Sequence, residues 1–245
     1  MGTMYIVATP IGNREDITVR ALKTLSSVDI VLCEDTRKTG MLLSYYRETE
    51  PYKTIMGLIT SQQPRLISFH EHNEDERLPY VLELLQKDCS LALVSDAGTP
   101  LISDPGYKLV RECYRQNIRV VPIPGPSSVI TALSASGLPT DSFAFLGYMP
   151  KKSGKRAQCI SRIQSLCSTH VVSTVVVFET PHRIVETLAE FKKSAPELSV
   201  SLAHELTKMH EIFIQNASVG GLPESTKGEY VLLISSDKLN QSPVP

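Results

Sequence analysis

The chain has 245 residues, enough for one large domain or two of ordinary size. Its 25 basic and 26 acidic side chains nearly balance, which argues against a disordered chain and against a strongly basic nucleic-acid coat. The first ten residues lack the basic region and long apolar core of a signal peptide, and no apolar run is long enough to cross a bilayer. The five cysteines include no C-x-x-C pair, so we expect free thiols and a cytoplasmic protein.

Short apolar runs alternate with helical patterns in the first half of the chain. The apolar runs predict strands at 5–9, 29–33, 66–69, 90–94 and 118–122. The patterns between them predict helices at 18–26, 36–45, 75–86 and 104–116, the last with Pro105 near its start. This alternation is typical of a mostly parallel sheet covered by helices on both faces. Residues 48–64 form a weakly patterned connection, which predicts a mobile or inserted loop.

A proline-rich stretch separates the second half from the first. Pro122, Pro124 and Pro126 interrupt regular structure, and Ser127 or Ser128 can cap the next helix. Beyond it we predict strands at 143–147, 171–178, 199–204, 211–215 and 229–235, and helices at 156–167 and 181–192. Three successive strands with little helix between them favour a mixed or antiparallel sheet. The prediction is therefore an α/β protein of two domains, 1–122 and 127–236, with a frayed tail at 237–245.

One strand that ends in a tight turn of small residues is the clearest candidate for a ligand site: Leu91-Ala-Leu-Val-Ser-Asp-Ala-Gly-Thr-Pro100. In α/β sheets, ligands lie at the carboxyl ends of strands. Gly98 lets the backbone approach a ligand closely, and Asp96 can accept hydrogen bonds from hydroxyl or amino groups. Similar turns at 10–13 and 124–128 could join it in lining one cleft for a ligand with a ribose and a base. The alternative is an ordinary strand-to-helix turn. Neither G-x-G-x-x-G nor a P-loop motif is present, which disfavours NAD and ATP sites.

Charged residues cluster after two other predicted strands. Glu34-Asp35-Thr36-Arg37 follows 29–33 and is interpreted either as a general base, Glu34, oriented by Arg37, or as a helix N-cap with complementary charges. His70-Glu71-His72-Asn73 could hold a metal through its two histidines, but the spacing supplies no third ligand. A polar wall, with His70 and Asn73 hydrogen-bonding a substrate, is therefore favoured.

The second half carries further candidates. Glu179 and Arg183 are one helical turn apart, and they either pair with each other or line the cleft. Lys208 follows another predicted strand and either holds a phosphate or is a solvated charge. Four positive charges lie in one predicted six-residue loop, at Lys151, Lys152, Lys155 and Arg156. They suit the phosphates of a polynucleotide, or they form a solvated linker before a helix.

Many of these motifs occur together, in order, between residue 4 and about residue 236. They are Tyr5-Ile-Val-Ala-Thr-Pro-Ile-Gly-Asn13, Asp16-Ile-Thr18, Cys33-Glu-Asp-Thr-Arg37, His70-Glu-His-Asn73, 94–106, Pro122-Ile-Pro-Gly-Pro126, Ala132-Leu-Ser134, 178–183 and Glu205-Leu-Thr-Lys208. In this combination the chain resembles the tetrapyrrole methylase superfamily of S-adenosylmethionine-dependent methyltransferases, and most closely its ribosomal RNA branch. It departs from that branch in the long 48–64 connection and in stopping soon after Ser235, where many relatives carry a helical extension.

The resemblance implies two α/β domains, a homodimer, a cytoplasmic enzyme and S-adenosylmethionine as the cofactor, in the cleft between the domains. It implies no metal and no membrane partner. The implied reaction is 2′-O-methylation of a cytidine ribose in the decoding centre of 16S rRNA, with the small ribosomal subunit as partner. Carried over by motif, the cofactor-binding residues are Pro10, Ser95, Asp96, Ala97, Gly98, Ile102, Ser127, Ser128, Phe178 and Leu206.

Glu34 is the first candidate for accepting the ribose proton, with Arg37 orienting it or binding a backbone phosphate. Lys208 is a further catalytic candidate. The predicted substrate-binding residues are His70, Asn73, Glu179, Arg183, Lys151, Lys152, Lys155 and Arg156. Three alternatives stay open: C-methylation of a tetrapyrrole, a module that binds an adenosine-type ligand without chemistry, and a metal hydrolase using His70 and His72.

Overall fold

The computed structural model describes residues 1–57, 63–217 and 228–237. The chain divides into two compact units, Met1–Ser127 and Ser128–Pro245. This division falls in the proline-rich stretch that the sequence singles out, and the two domains 1–122 and 127–236 stay a prediction. The tail predicted at 237–245 lies outside the described residues except for Asp237.

A five-stranded parallel sheet organises the first unit. Its strands are β1 (Thr3–Val7), β2 (Ile30–Cys33), β3 (Arg65–Ser68), β4 (Leu91–Leu93) and β5 (Arg119–Ile123), in the order β3-β2-β4-β1-β5. Five helices connect them: α1 (Val19–Ser27), α2 (Thr36–Glu48), α3 (Tyr52–Gly57), α4 (Glu74–Gln86) and α5 (Tyr107–Arg115). The predicted parallel sheet is confirmed.

Alternating side chains of this sheet enter two separate hydrophobic cores. Val31 and Cys33 of β2 pack with α1, α2 and α3, whereas Ile30 and Leu32 of the same strand pack with α4 and α5. All four residues are buried, which explains why β2 is an unbroken apolar run instead of an alternating one.

Two predictions for the first unit are wrong. The connection at 48–64 contains helix α3, which is too short for a helical period to show; Met56 is buried, and the ring of Tyr52 lies 5.0 Å from that of Tyr46. Residues 58–62 lie outside the described residues. Helix α5 begins at Tyr107, not at 104, because Gly106, inside the predicted range, has a φ of 123° that a helix cannot contain.

A mixed sheet organises the second unit, as predicted. Its strands are β6 (Phe143–Tyr148), β7 (Thr174–Glu179), β8 (Ser199–His204), β9 (Ile212–Ile214) and β10 (Tyr230–Ser235), in the order β6-β7-β10-β8-β9. The pair β6 and β7 is parallel, and the other three pairs are antiparallel. Three helices accompany the sheet: α6 (Ser128–Ala135), α7 (Ser153–Ser168) and α8 (Ile184–Ser194).

Helix starts in the second unit differ from the predictions. The helix predicted from residue 156 begins at Ser153, so the predicted basic loop is partly helical. The helix predicted from Pro181 begins at Ile184, and Pro181 lies in the turn before it. The predicted strand 171–178 begins only at Thr174, because Val171 to Ser173 follow a turn in which His170 has a φ of 54°.

In the part of the chain that the structure describes, every helix is too short or too polar to span a membrane. All five cysteines are free. Burial raises the pKa of Cys113 to about 11, so this thiol stays protonated at neutral pH.

We expect Gly106→Ala to lower the free energy of unfolding by about 2 kcal/mol. Gly106 has a φ of 123°, which an L side chain rarely adopts, and an added Cβ would lie 2.5 Å from Cδ2 of the buried Leu93. Urea unfolding of the variant measures the loss. The matched control is Gly154→Ala in α7, where nothing lies within 4 Å of the added Cβ and helix propensity favours alanine. Equal midpoints for the two variants would contradict the prediction.

Candidate active site

The three small-residue turns meet at one end of the parallel sheet. Thr9 and Gly98 exchange two backbone hydrogen bonds, with N–O distances of 2.9 and 3.1 Å. The hydroxyl of Thr99 donates to the carbonyl of Pro126 at 3.0 Å, and the hydroxyl of Ser95 donates to the carbonyl of Gly98 at 3.2 Å. The loops that follow β1, β4 and β5 are therefore tied into one surface of the first unit.

Two glycines allow this close approach. Gly98 has a φ of 87°, and a Cβ there would lie 3.3 Å from Cγ2 of Ile11. A Cβ on Gly125 would lie 3.0 Å from the Cβ of Ala8. A side chain at either position would push the loops apart. Glycine at both positions therefore lets the loops lie this close together.

The predicted cofactor-binding residues divide between the two units. In the first unit Asp96, Ala97 and Ile102 are exposed at this surface, whereas Pro10, Ser95 and Gly98 are buried beneath it and Ser127 is half-buried. Ser128, Phe178 and Leu206 belong to the second unit. Phe178 and Leu206 are buried there, and Ser128 is half-buried at the start of α6.

A compact charge cluster lies where β2 and β4 end. The ammonium of Lys38 is 2.6 Å from Oδ2 of Asp96, and the backbone N–H of Asp96 donates to Oε1 of Glu34 at 3.3 Å. Burial raises the pKa of the Glu34 carboxyl above its ordinary value. The hydrogen bond to Asp96 raises the pKa of Lys38, so this side chain stays positively charged. We call Glu34, Lys38 and Asp96 the charge cluster.

Lys38 was missed by the sequence analysis. The signal that could have found it is the helix start: Asp35 caps α2, so residues 36–38 form its first turn at the end of β2. A cation in that turn lies beside the loop after β4, because β2 and β4 are neighbours in the sheet.

The N-cap interpretation of Asp35 is correct, and the expectation that Arg37 orients Glu34 is wrong. The guanidinium of Arg37 makes two hydrogen bonds to the carboxylate of Asp35, at 2.9 and 3.1 Å, and remains 85% exposed. This guanidinium holds the pKa of the Asp35 carboxyl well below its usual range. Contact of Arg37 with a backbone phosphate stays a prediction.

Asn73 serves its own loop. Its Oδ1 accepts from the backbone N–H of His70 at 2.8 Å, and its Nδ2 donates to the carbonyl of Ser68 at 3.2 Å. The amide thereby closes the turn between β3 and α4. These two hydrogen bonds use the same amide atoms with which Asn73 was predicted to bind a substrate. The Nδ1 atom of His70 is buried and has no hydrogen-bond partner within the described residues. These residues also include no group of three or more histidine, cysteine or acidic side chains placed to hold a metal.

In the second unit, Glu179 and Arg183 pair with each other, the structural alternative of the two that the sequence left open. Glu179 is fully buried, and Arg183 lies 2.7 Å from its Oε1. The hydroxyl of Thr187 donates to the other carboxylate oxygen at 2.6 Å, and the backbone N–H of Thr180 donates to Oε1 at 2.7 Å. Arg183 also donates to the carbonyl of Met149 at 3.1 Å. The carboxylate ties the start of α8 to β7 and leaves no face for a substrate.

The four predicted phosphate-binding charges are not equivalent. Lys151, Lys152 and Lys155 are exposed, but the side chain of Arg156 is only 1% exposed. Its guanidinium bonds the carboxylate of Glu190 at 2.7 and 2.8 Å and contacts Glu186. Arg156 therefore joins α7 to α8 and has no free face for a phosphate. Lys208 is partly exposed and pairs with Glu205 at 2.7 Å.

Comparison with known proteins assigns this architecture to a class. The family of Tetrapyrrole (Corrin/Porphyrin) Methylases matches residues 3–219, and the chain belongs to this family. Diphthine synthase superposes with a TM-score of 0.66 at 15% identity, covering 96% of this chain and 90% of that protein. Uroporphyrin-III C-methyl transferase from Thermus thermophilus, solved as a complex with S-adenosyl homocysteine, superposes with a TM-score of 0.58 at 18% identity and covers 94% of this chain and 97% of that protein. At these identities the two structures show the fold.

Several relatives are much more similar in sequence, and the following three are named ribosomal RNA small subunit methyltransferase I. The protein from Escherichia coli O157:H7 is 42% identical and covers 100% of this chain and 81% of its own length. That from Vibrio cholerae is 44% identical over 94% of this chain and 76% of its own. That from Pasteurella multocida is 43% identical over 95% and 79%. The resemblance to the ribosomal RNA branch of the family, and with it the prediction of a methyltransferase, is confirmed. The predicted cofactor agrees with the S-adenosyl homocysteine of the Thermus protein.

Removing the buried carboxylate of the second unit tests whether its role is structural. We expect Glu179→Ala to lower the free energy of unfolding by about 3 kcal/mol, because it leaves the Arg183 charge and the Thr187 hydroxyl without their acceptor. Thermal or urea unfolding measures the change. The control, Glu197→Ala, removes an exposed carboxylate and should cost no more than about 0.5 kcal/mol. Wild-type stability of Glu179→Ala would contradict a structural role for this buried carboxylate.

Proposed function

We propose that this chain transfers a methyl group from S-adenosylmethionine to ribosomal RNA of the small subunit, at the 2′-hydroxyl of a cytidine ribose in the decoding centre. The observation that carries the proposal is the 42–44% identity, over nearly the whole chain, with relatives named for small-subunit ribosomal RNA methylation. Two uroporphyrin-III C-methyltransferase structures from Thermus thermophilus share only the fold with this chain, at 18–20% identity. That difference favours RNA over a tetrapyrrole as the substrate.

The loop surface of the first unit fits part of a sulfonium nucleoside. Backbone at Gly98 can approach a ligand because no Cβ projects from it. The neighbouring carboxylate of Asp96 is 27% exposed and bonded to Lys38, and a carboxylate can accept further hydrogen bonds from a ligand. We propose that Asp96, Ala97, Gly98 and Ile102 contact the cofactor, over a floor of Pro10 and Ser95. When bound, S-adenosylmethionine supplies an electrophilic methyl group. The roles of Ser127, Ser128, Phe178 and Leu206 stay predictions.

The protein's own task is to align the ribose hydroxyl and to take up its proton. Glu34 is suited to the second part because its carboxyl is half-buried at the strand ends and has a raised pKa, which strengthens it as a base. The target nucleotide has to leave its stack to bring the 2′-hydroxyl to this carboxylate. Exposed Lys151, Lys152 and Lys155 are proposed contacts for the RNA backbone. We further propose that the enzyme acts on this ribosomal substrate in the cytoplasm and as a homodimer.

Mapping ribose methylation on small-subunit RNA tests the proposed function directly. RNA from cells that lack this protein should have lost one cytidine 2′-O-methyl mark, and expression of the chain should restore it. Parallel assays of the purified protein with small subunits and with uroporphyrinogen separate the proposed activity from tetrapyrrole methylation. Binding of cofactor with no turnover on either substrate would favour a binding module and contradict the proposal.

We expect Glu34→Gln to reduce turnover about 100-fold, because the amide cannot accept the ribose proton. The affinity for S-adenosylmethionine, measured by calorimetry, should stay near that of the wild type. Glu71→Gln, on an exposed carboxylate in the turn before α4, is the matched control and should retain wild-type turnover. Wild-type turnover in Glu34→Gln would remove Glu34 from the mechanism while leaving the substrate assignment intact.

A further inference from the structure

The charge cluster gives Glu34 a cationic neighbour that neither motif nor spacing revealed. We propose that Lys38 is a positioning residue for Glu34: through Asp96, it holds the acceptor carboxylate in place and in its charged form. This inference rests on the proposed function and identifies a residue that the reaction needs beyond the acceptor itself.

The geometry links Lys38 to Glu34 in two steps. The side chain of Lys38 reaches from the first turn of α2 to the loop after β4, where its ammonium lies 2.6 Å from Oδ2 of Asp96. The backbone N–H of the same Asp96 donates to Oε1 of Glu34 at 3.3 Å. Lys38 therefore restrains the residue whose backbone holds the acceptor carboxylate. The adjacent Arg37 does not take over this role, because Nε and one Nη of its guanidinium already bind the carboxylate of Asp35.

The electrostatics of the cluster point the same way. The titratable side chains that act on Glu34 are Asp96, Lys38 and His70. Asp96 and burial raise the pKa of Glu34, whereas Lys38, His70 and the Asp96 N–H lower it. Removing the ammonium leaves two neighbouring carboxylates without their cation, so the pKa of Glu34 must rise further. Lys38 itself is held in its ammonium form by Asp96, so it is not the proton acceptor.

The proton path follows from these assignments. As the ribose oxygen bonds to the methyl carbon, the carbon–sulfur bond breaks and its electron pair stays on sulfur. The hydroxyl proton passes to the Glu34 carboxylate and then to water. Only the ionised form of Glu34 can accept this proton, so the rate should fall as the pH drops through the pKa of Glu34. Lys38 extends the working range to lower pH by stabilising that ionised form.

The test is the pH dependence of kcat/KM on small subunits that lack the methyl mark. In Lys38→Met the midpoint of the acid limb should move to higher pH by about half to one unit, with about a three- to tenfold loss of rate below it. Lys38→Gln, a second neutral variant, should behave in the same way. Lys38→Arg should restore the wild-type midpoint, because the charge is kept. A merely structural defect would lower the rate at every pH without moving the midpoint.

The control is Lys87→Met, which removes another exposed, ion-paired lysine of the same unit, bound to Glu83. Its profile should match the wild type. An unchanged acid limb in both neutral variants overturns the inference, even if KM for the subunit rises, since that result would assign Lys38 to an RNA phosphate. A wild-type acid limb that persists in Glu34→Gln also overturns it. Failure of the wild-type protein to methylate small subunits at any pH would instead refute the proposed function.

Discussion

Two backbone hydrogen bonds between Thr9 and Gly98 fix the geometry on which the candidate site depends. They hold the end of β1 against the loop after β4, and Thr99 then binds that loop to Pro126 after β5. Because each contact joins loops that follow parallel strands, the surface inherits its shape from the strand order of the sheet. Asp96 stands on this backbone framework, and its ion pair with Lys38 holds its side chain in place.

The same strand order assembles the charges. The strands β2 and β4 are neighbours although α2, α3, β3 and α4 separate them in sequence, so a lysine after one strand meets an aspartate after the other. The second unit uses its charges differently. Glu179 and Arg156 are buried and satisfied by arginine, threonine or glutamate partners that connect helices to the sheet or to each other. Charged residues therefore lie at the ends of the strands in the first unit, and they are buried between helices and sheet in the second.

The sequence was a reliable guide where one strong local pattern decides the structure. Apolar runs predicted every described strand, most clearly those buried on both faces such as β2, β7 and β10, and small-residue turns indicated the loops that meet at Gly98. It failed where contacts or backbone angles that residue type and spacing do not show decide the structure. Helix α3 is fixed by contacts with Tyr46, and the start of α5 by the positive φ angle of Gly106. The partners of Arg37, Arg156 and Glu179 were equally invisible, since charge spacing alone cannot distinguish a buried pair from an open site.

The central position of β10 constrains how the protein forms during translation. This strand lies between β7 and β8 and forms backbone hydrogen bonds with both. It is nevertheless synthesised after every other described strand. A nascent chain that ends before Tyr230 therefore leaves β7 and β8 with unpaired edges, whereas all five strands of the first sheet have emerged by Ile123. The first sheet therefore has all its strands once Ile123 has been synthesised, whereas the second sheet stays incomplete until its last strand is made.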